Sequence, residues 1–498
     1  MSYLLGTDIG TSGTKTVLFR EDGVVVASST SFYETYQPKN GWAEQNPLDW
    51  WEAFKITVKD VLSKSGIDNS EIKSIGLTGQ MHGLVMLNRN GDVLDRSIIW
   101  CDQRTAKQCE QITNAVGHDR LIKITANPAL TGFTASKILW VRQNKPEIYE
   151  ECTKILLPKD YIRYMLTGEF ATDVSDASGM QLLDVPKRQW SDEVLRKLDL
   201  DSYLLADVYE SPEITGFLSR RAAEDTGLME GTIVVGGAGD NAAAAIGTGV
   251  ISDGSAFTTI GTSGVVYAHT STPKIDPKGR VHTFCAAVPN EWHVMGVTQA
   301  AGLSMKWFRD NFSTDIKYSD MDKMAEEIPI GSENLVFLPY LMGERTPHLD
   351  PDCRGVFFGL SNIHTKAHLI RSIMEGVSFS LLDCYSVLKH MNVNISDMMI
   401  CGGGGKSPFW RQIFADLYRC PVKTIESEEG PALGAAILAG VGAKIFTSIE
   451  QGCSLLVKEK EINNPVANNF ETYMKYYRIY RGLYASLKDN FKQLKEEN

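Results

Sequence analysis

Apolar residues alternate with polar or small ones over 3–8, 14–20 and 24–30, and this period of two predicts a meander of three short strands. Asp22-Gly23 turns its second hairpin. Asn46-Pro47 then opens a stretch to about Lys64 whose apolar positions recur at helical spacing, with a cap residue and a proline in the first turn. Its Trp50-Trp51 pair is read as packing. Short apolar runs at Lys73–Thr78 and Arg96–Trp100 are predicted strands, each running into a polar loop, Gly79-Gln80-Met81-His82-Gly83 and Cys101-Asp102-Gln103-Arg104. Helices are expected near 105–116, 134–144 and 158–166. The polar chain from Ser175 to Trp190 reads as an excursion outside the core.

A strand at Thr232–Gly236 ends in Gly237-Ala238-Gly239-Asp240-Asn241, followed by a small-residue helix, Ala242–Gly247. The second half then repeats the meander. It continues with helices near 300–311 and 366–390, a strand at Asp397–Cys401 and four glycines at 402–405. A helix near 408–418, a strand over 421–426 and a helix from Pro431 to Gly440 close the core. A final helical run over 468–495 carries Tyr473, Tyr476, Tyr477, Tyr480 and Tyr484 at mixed helical spacings, a packing surface that either folds back on the chain or enters an interface.

The two meanders share more than periodicity. Ile9-Gly10-Thr11-Ser12-Gly13 recurs letter for letter at Ile260–Gly264, once near the start of each half of the 498-residue chain and each time between strand-like runs. A hairpin tip of glycines and hydroxyl residues exposes backbone N–H groups that can hold phosphate oxygens. Two such tips across a cleft can grip one nucleotide triphosphate from both sides, which makes Gly13 and Gly261 candidates together with the hydroxyls between the glycines. Asp8 precedes the first copy and Thr259 the second. A carboxylate beside bound phosphate needs a cation between them, so Asp8 suggests Mg²⁺. The Gly-rich turns lead into strands and no G-x-x-x-x-G-K-[ST] occurs, which disfavours a P-loop fold.

Composition narrows the class without altering this picture. Hydrophobic content of 43% and charged content of 22% are those of an ordinary soluble globular protein. A net charge of −11 argues against a nucleic-acid partner. Nine cysteines with no C-x-x-C pair fit neither a zinc site nor a disulfide framework and suggest reduced thiols. Without a secretory signal or an apolar run of membrane length, a cytoplasmic location with no membrane partner is expected.

Asp240 is the candidate general base: it follows a strand, lies among glycines that let a substrate approach, and opens a helix whose N-terminus favours phosphoryl charge. Gly402–Gly405 with Lys406-Ser407 leaves backbone on which an adenine or ribose can lie, so Gly403, Gly404 and Ser407 are nucleotide-side candidates. Ala301–Lys306 is a second, weaker one. His82 is a candidate for sugar hydroxyls. Asp102 and Arg104 could serve the same way or pair with each other as a surface ion pair.

Taken together these motifs resemble the FGGY carbohydrate kinases, most closely the branch that phosphorylates D-xylulose, from Asp8 to about Gly440. Gly132–Asn144 and Ile400–Trp410 lie in the family's two signatures, and Gln80-Met81-His82-Gly83 matches the sugar loop of that branch. Asp173–Ser178, Gly343–His348 and Gly355–Gly359 strengthen the match. The resemblance implies an α/β chain with a duplicated actin-like ATPase (ribonuclease H-like) fold, two domains and a central cleft. It divides the chain into residues 1–248, with the sugar loops, residues 249–450, with the nucleotide loops, and a helical segment over 451–498. It implies Asp240 as base and Asp8 as the metal-side acid. Met81, His82 and Trp100 would meet the sugar, as would Asp102 and Arg104, with Asn241 beside the base. Thr11, Ser12, Lys15 and Thr262 would line the phosphates, and Gly302, Lys306, Gly403 and Ser407 the nucleotide. Trp100-Cys101-Asp102-Gln103-Arg104 departs from the branch's usual Trp-Asn-Asp-Gly-Arg, which bears on the exact ketose. The implied activity is phosphorylation of D-xylulose at its 5-hydroxyl by ATP with Mg²⁺. The rival readings are a kinase of another sugar or polyol such as ribulose or gluconate, a switching ATPase, and an inactive sugar sensor, which would be expected to lose Asp8 or Asp240. A homodimer is compatible with the sequence.

Overall fold

The computed structural model describes residues 1–496. Each half builds a mixed seven-stranded sheet on the same plan. In the first, the meander strands Tyr3–Ile9, Gly13–Arg20 and Val25–Phe32 pair antiparallel; Ile72–Gly79 then joins the first of them in parallel, Ile233–Val235 and the short Ala238–Gly239 pair with it in parallel, and Ile214–Phe217 closes the edge antiparallel. In the second, Gly254–Ile260, Gly264–Thr270 and Trp292–Thr298 form the meander, followed in parallel by Ile395–Cys401 and Val422–Ile425 and antiparallel by Glu459–Asn463. An extra strand, His282–Cys285, lies on the outer edge of that meander.

The predicted helices form where the spacing puts them. Pro47–Ser65 is capped by Asn46, whose side chain accepts from Leu48 N, and it ends at a left-handed Gly66. The helix that follows Gly239 starts at Asp240, two residues earlier than the apolar pattern suggests, because an aspartate is favourable in a helix's first turn. Shorter helices such as His118–Thr125 and Tyr318–Glu326 have too few turns to show a period.

The halves are joined by two helices that touch backbone to backbone. A Cβ on Gly434 would lie 1.9 Å from the Ala243 carbonyl, and one on Gly247 1.8 Å from that of Gly430. Asp240–Gly247 thus crosses Gly430–Gly442 at a separation only glycine allows. The second helix also lies on the first sheet, where Ser74 Oγ donates to the Ala439 carbonyl at 2.8 Å. Lys15 on the first sheet meets Glu429, just ahead of that helix, at 2.5 Å.

Two expectations are corrected. Residues 174–185 are buried throughout rather than an excursion. Their charge is met by a buried cation: Lys159 Nζ lies 2.8 Å from Asp173 and 3.4 Å from Asp176, and Ser175 Oγ and Ser211 Oγ both donate to Asp173, although neither carboxylate oxygen of Asp176 accepts a hydrogen bond. The strand expected over 96–100 is only Ser97–Ile98. The tyrosine-bearing helix, Ala467–Glu496, folds back on the second half, with Tyr480 Oη 2.9 Å from Tyr340 Oη and Tyr477 donating to Asp383 at 2.6 Å.

Candidate active site

The repeated pentapeptide forms two hairpin tips that are not identical. In the first, Ile9 pairs with Thr14 and Gly10 N donates to Gly13 O at 3.0 Å; in the second, Ile260 pairs with Gly264 and Gly261 N donates to Ser263 O at 3.0 Å. The second tip is therefore one residue tighter. Thr11, Ser12, Thr262 and Ser263 keep solvent-accessible surface at the tips. Gln45 Nε2 donates to Thr11 O at 2.6 Å, and the Trp100 indole N–H donates to Thr11 Oγ1 at 2.9 Å. Behind the second tip, Gly302 N donates to Gly261 O at 2.7 Å, a contact so close that a Cβ on Gly302 would stand 2.6 Å from that oxygen.

A cavity of about 500 Å³ brings together Gly261, Thr262, Gly302, Lys306, Gly403, Gly404 and Ser407, the nucleotide-side candidates of the second half. A Cβ on Gly403 would meet nothing within 4 Å, so this backbone is bare toward the cavity. Ser407 is also the cap of helix Pro408–Tyr418, accepting from Trp410 N. Lys306 pairs with Asp310 on its own helix. Sequence reasoning missed Tyr318, Asp322, Met374 and Trp410 in the lining. Trp410 sits in the quoted signature, but the other three come from helices with no motif.

The two candidate carboxylates stand at the ends of two strands that flank a common neighbour. Strand Ile72–Gly79 runs between them, pairing Ile9 with Gly79 on one side and Gly239 with Gly79 on the other. Burial raises Asp8 to about 7, with the Asp240 charge adding to the rise and Lys15 opposing it. Asp8 Oδ1 is buried without a hydrogen-bond partner. Burial likewise raises Asp240 to about 6, against the lowering effect of bonds from Asn241. Asn241 N and Nδ2 both donate to Asp240 Oδ1, at 2.7 and 2.9 Å, which leaves Oδ2 to act. Below the base, Gly239 N donates to Ser175 Oγ at 3.1 Å and Arg163 donates to Gly236 O, so the buried charge network fixes the strand end that presents Asp240.

His82 adopts a left-handed backbone, φ 71°, and its carbonyl accepts from Lys137 Nζ at 2.9 Å and Thr134 Oγ1 at 3.0 Å. Its Nδ1 lies 2.8 Å from the Gly179 carbonyl, which can only accept, so Nδ1 carries the proton. Burial and the Lys137 charge push its pKa down to about 3, keeping the ring neutral with Nε2 as an acceptor. Met81 packs over Gly239, where a Cβ would meet its Sδ at 3.0 Å. His82 also packs on Phe133 at 4.9 Å and Phe284 at 6.2 Å.

Asp102 and Arg104 are brought together but do not face the cleft. Their side chains are 0% and 1% exposed and meet at 2.7 Å, with Arg104 also 2.8 Å from Glu44 and stacked on Trp42 at 3.6 Å. The pair is buried rather than superficial, and it supports the loop that carries Trp100. Lys15 points its ammonium at Glu429 rather than standing free.

Against known proteins, the N-terminal domain of the FGGY family of carbohydrate kinases matches residues 3–247 and its C-terminal domain residues 256–443. A xylulose kinase of Bacillus subtilis is 38% identical, covering 98% of each chain. Among solved structures, a xyloylose kinase from Brucella ovis superposes with a TM-score of 0.91 at 33% identity over 98% of this chain and 99% of that one. A gluconate kinase from Lactobacillus acidophilus gives 0.93 at 28%, over 99% of each. The fold is the two-domain, actin-like one expected. Among the described residues no helix is long and apolar enough to cross a membrane.

Proposed function

The chain belongs to the FGGY family of carbohydrate kinases, and we propose that it transfers the γ-phosphoryl group of ATP to the 5-hydroxyl of D-xylulose, with Asp240 as general base. The observation that carries this reading is the convergence on Asp240: a half-buried carboxylate with one free oxygen, between the phosphate tips and the His82 loop. A base with a pKa of about 6 is ionised at neutral pH yet basic enough to accept a hydroxyl proton as the oxygen attacks.

Each side of the cleft contributes a separate task. The bare backbone at Gly403 and the cavity in front of it suit an adenosine, while Gly404 packs on Ile260. The tips at Thr11–Gly13 and Gly261–Thr262 present hydroxyls and N–H groups to phosphate oxygens, and Lys15 adds a cation near the first. On the sugar side, Met81 supplies an apolar wall, His82 Nε2 accepts from a hydroxyl, and Asn241 orients the base. Trp100 links the two sides through Thr11, while Asp102 and Arg104 act by holding Trp100 in place.

Asp8 fits a divalent cation. Its unpartnered Oδ1 and its repulsion with Asp240 are relieved by positive charge, and Mg²⁺ commonly binds one or two carboxylates and completes its shell with phosphates and water. When bound, Mg²⁺ neutralises charge on the phosphates. The residues themselves orient the hydroxyl, remove its proton and exclude water.

A gluconate kinase shares the fold as closely as the xylulose kinases do, so the ketose assignment rests on the Gln80–Gly83 loop and on identity over the whole chain. The test is sugar-dependent release of ADP from Mg-ATP across a panel of ketoses, aldonates and polyols. Fastest turnover on D-xylulose supports the reading, and faster turnover on gluconate or ribulose rejects the ketose assignment.

A further inference from the structure

An aromatic cluster drawn from both halves packs against His82. His282 stacks on Phe284 at 5.7 Å, both pack on Phe133, and Phe133 packs on His82. Next to this aromatic cluster lies Arg345, a residue no part of the mechanism above uses. Its backbone is fixed on every side. Arg345 N donates to Glu344 Oε1 at 2.8 Å, and its carbonyl accepts from Leu349 N at 2.6 Å. Thr346 N donates to Val297 O at 3.0 Å, while Thr346 Oγ1 donates to Arg280 O at 2.7 Å.

The guanidinium, by contrast, has no hydrogen bond, ion pair or ring contact among the described residues. Buried guanidinium groups elsewhere in the chain, at Arg104, Arg163, Arg371 and Arg411, each meet a carboxylate. The adjacent Glu344 is not such a partner, because its carboxylate is saturated by Thr298 Oγ1, Gln299 N, Arg345 N and Ser380 Oγ. Glu344 partly offsets the burial of the Arg345 charge without pairing with it, and that charge biases His82 and His282 further toward the neutral form. Arg345 is half-buried, and its guanidinium keeps contact with solvent that a ligand's acceptor can replace.

We propose that Arg345 is a specificity residue that donates to the keto oxygen of an open-chain 2-ketose bound against His82; this rests on the kinase reading above. A guanidinium has only donors, and among the oxygens of such a sugar the carbonyl is the one that only accepts. His82 Nε2 beside it is an acceptor and takes the neighbouring hydroxyl. Donor next to acceptor is the complement of a carbonyl flanked by CHOH.

The test compares the native enzyme with Arg345→Ala and Arg345→Lys, using a pentulose as substrate and the pentitol that lacks its carbonyl as competing inhibitor. Losing a hydrogen bond from a charged donor predicts a fall in kcat/KM for the pentulose of about 10–100-fold in Arg345→Ala. The pentitol's inhibition constant and the KM for ATP stay unchanged. Arg345→Lys recovers part of the loss, and added guanidinium salt partly restores Arg345→Ala, which a merely structural role would not allow. Equal losses for pentulose and pentitol, or no loss at all, overturn the proposal. If the native enzyme turns over no sugar, the kinase reading fails first; calorimetric titration with the pentulose then still reads the contact, and equal affinity in native and Arg345→Ala enzyme overturns it.

Discussion

The indole N–H of Trp100 donates to the hydroxyl of Thr11 at 2.9 Å, so a loop of the sugar side holds the tip of a phosphate loop. The link gives the two substrates a shared mechanical element. Trp100→Phe keeps the ring and removes only the donor. A net hydrogen bond of about 1 kcal/mol predicts a fall of roughly fivefold in kcat/KM, with the KM for ATP and for sugar both rising. Steady-state kinetics with each substrate varied in turn checks this; a change in the sugar constant alone contradicts the link.

Two glycines predict opposite behaviour. A Cβ on Gly434 collides with the Ala243 carbonyl at 1.9 Å, and overpacking of this kind costs about 1–3 kcal/mol, so Gly434→Ala lowers the melting temperature. Gly403 opens on empty space, so Gly403→Val leaves stability alone and raises the KM for ATP without moving that for sugar. Thermal melts and kinetics on the two variants separate a structural glycine from a ligand-facing one.

Much of this was legible in the sequence because strand periodicity and a five-letter repeat are local signals. The repeat marks both tips, yet it could not reveal that the second is one residue tighter, since register is set by pairing across the sheet. Asp102 and Arg104 carry the right chemistry for a sugar loop, but their burial under Trp42 depends on residues far away in the chain. The polar stretch after Ser175 looks like surface because partners such as Gly239 N, which donates to Ser175, and Cys285 N, which donates to Ser178, are remote in sequence. Tyr318 and Asp322 line the nucleotide cavity from a short helix with no pattern of its own.

Burial sets the acid limb of the pH profile. Asp240 must be ionised to accept a proton, and with its pKa at about 6, kcat/KM falls about tenfold per unit below that pH. A profile flat down to pH 5 contradicts the assignment.

Asp8 predicts a trade between function and stability. Its carboxyl is raised from 3.8 to about 7 in the folded protein, so the stability it contributes is present at low pH and lost as pH rises through about 7. Asp8→Asn therefore stabilises the ligand-free protein at pH 8, by roughly 1–3 kcal/mol, and the gain vanishes near pH 4. Activity falls in the same variant. Denaturant melts at both pH values check the sign, and Mg²⁺ with ATP stabilises the native protein more than the variant.

The most direct test of the central claim is ADP release from Mg-ATP with D-xylulose, measured on the native enzyme and on Asp240→Asn, which keeps the shape of the base and removes its charge. Loss of the base predicts a fall of about 10²–10⁴-fold in kcat with sugar and nucleotide binding retained. Sugar-dependent turnover that survives in Asp240→Asn, or no stimulation of the native enzyme by any sugar, contradicts the account.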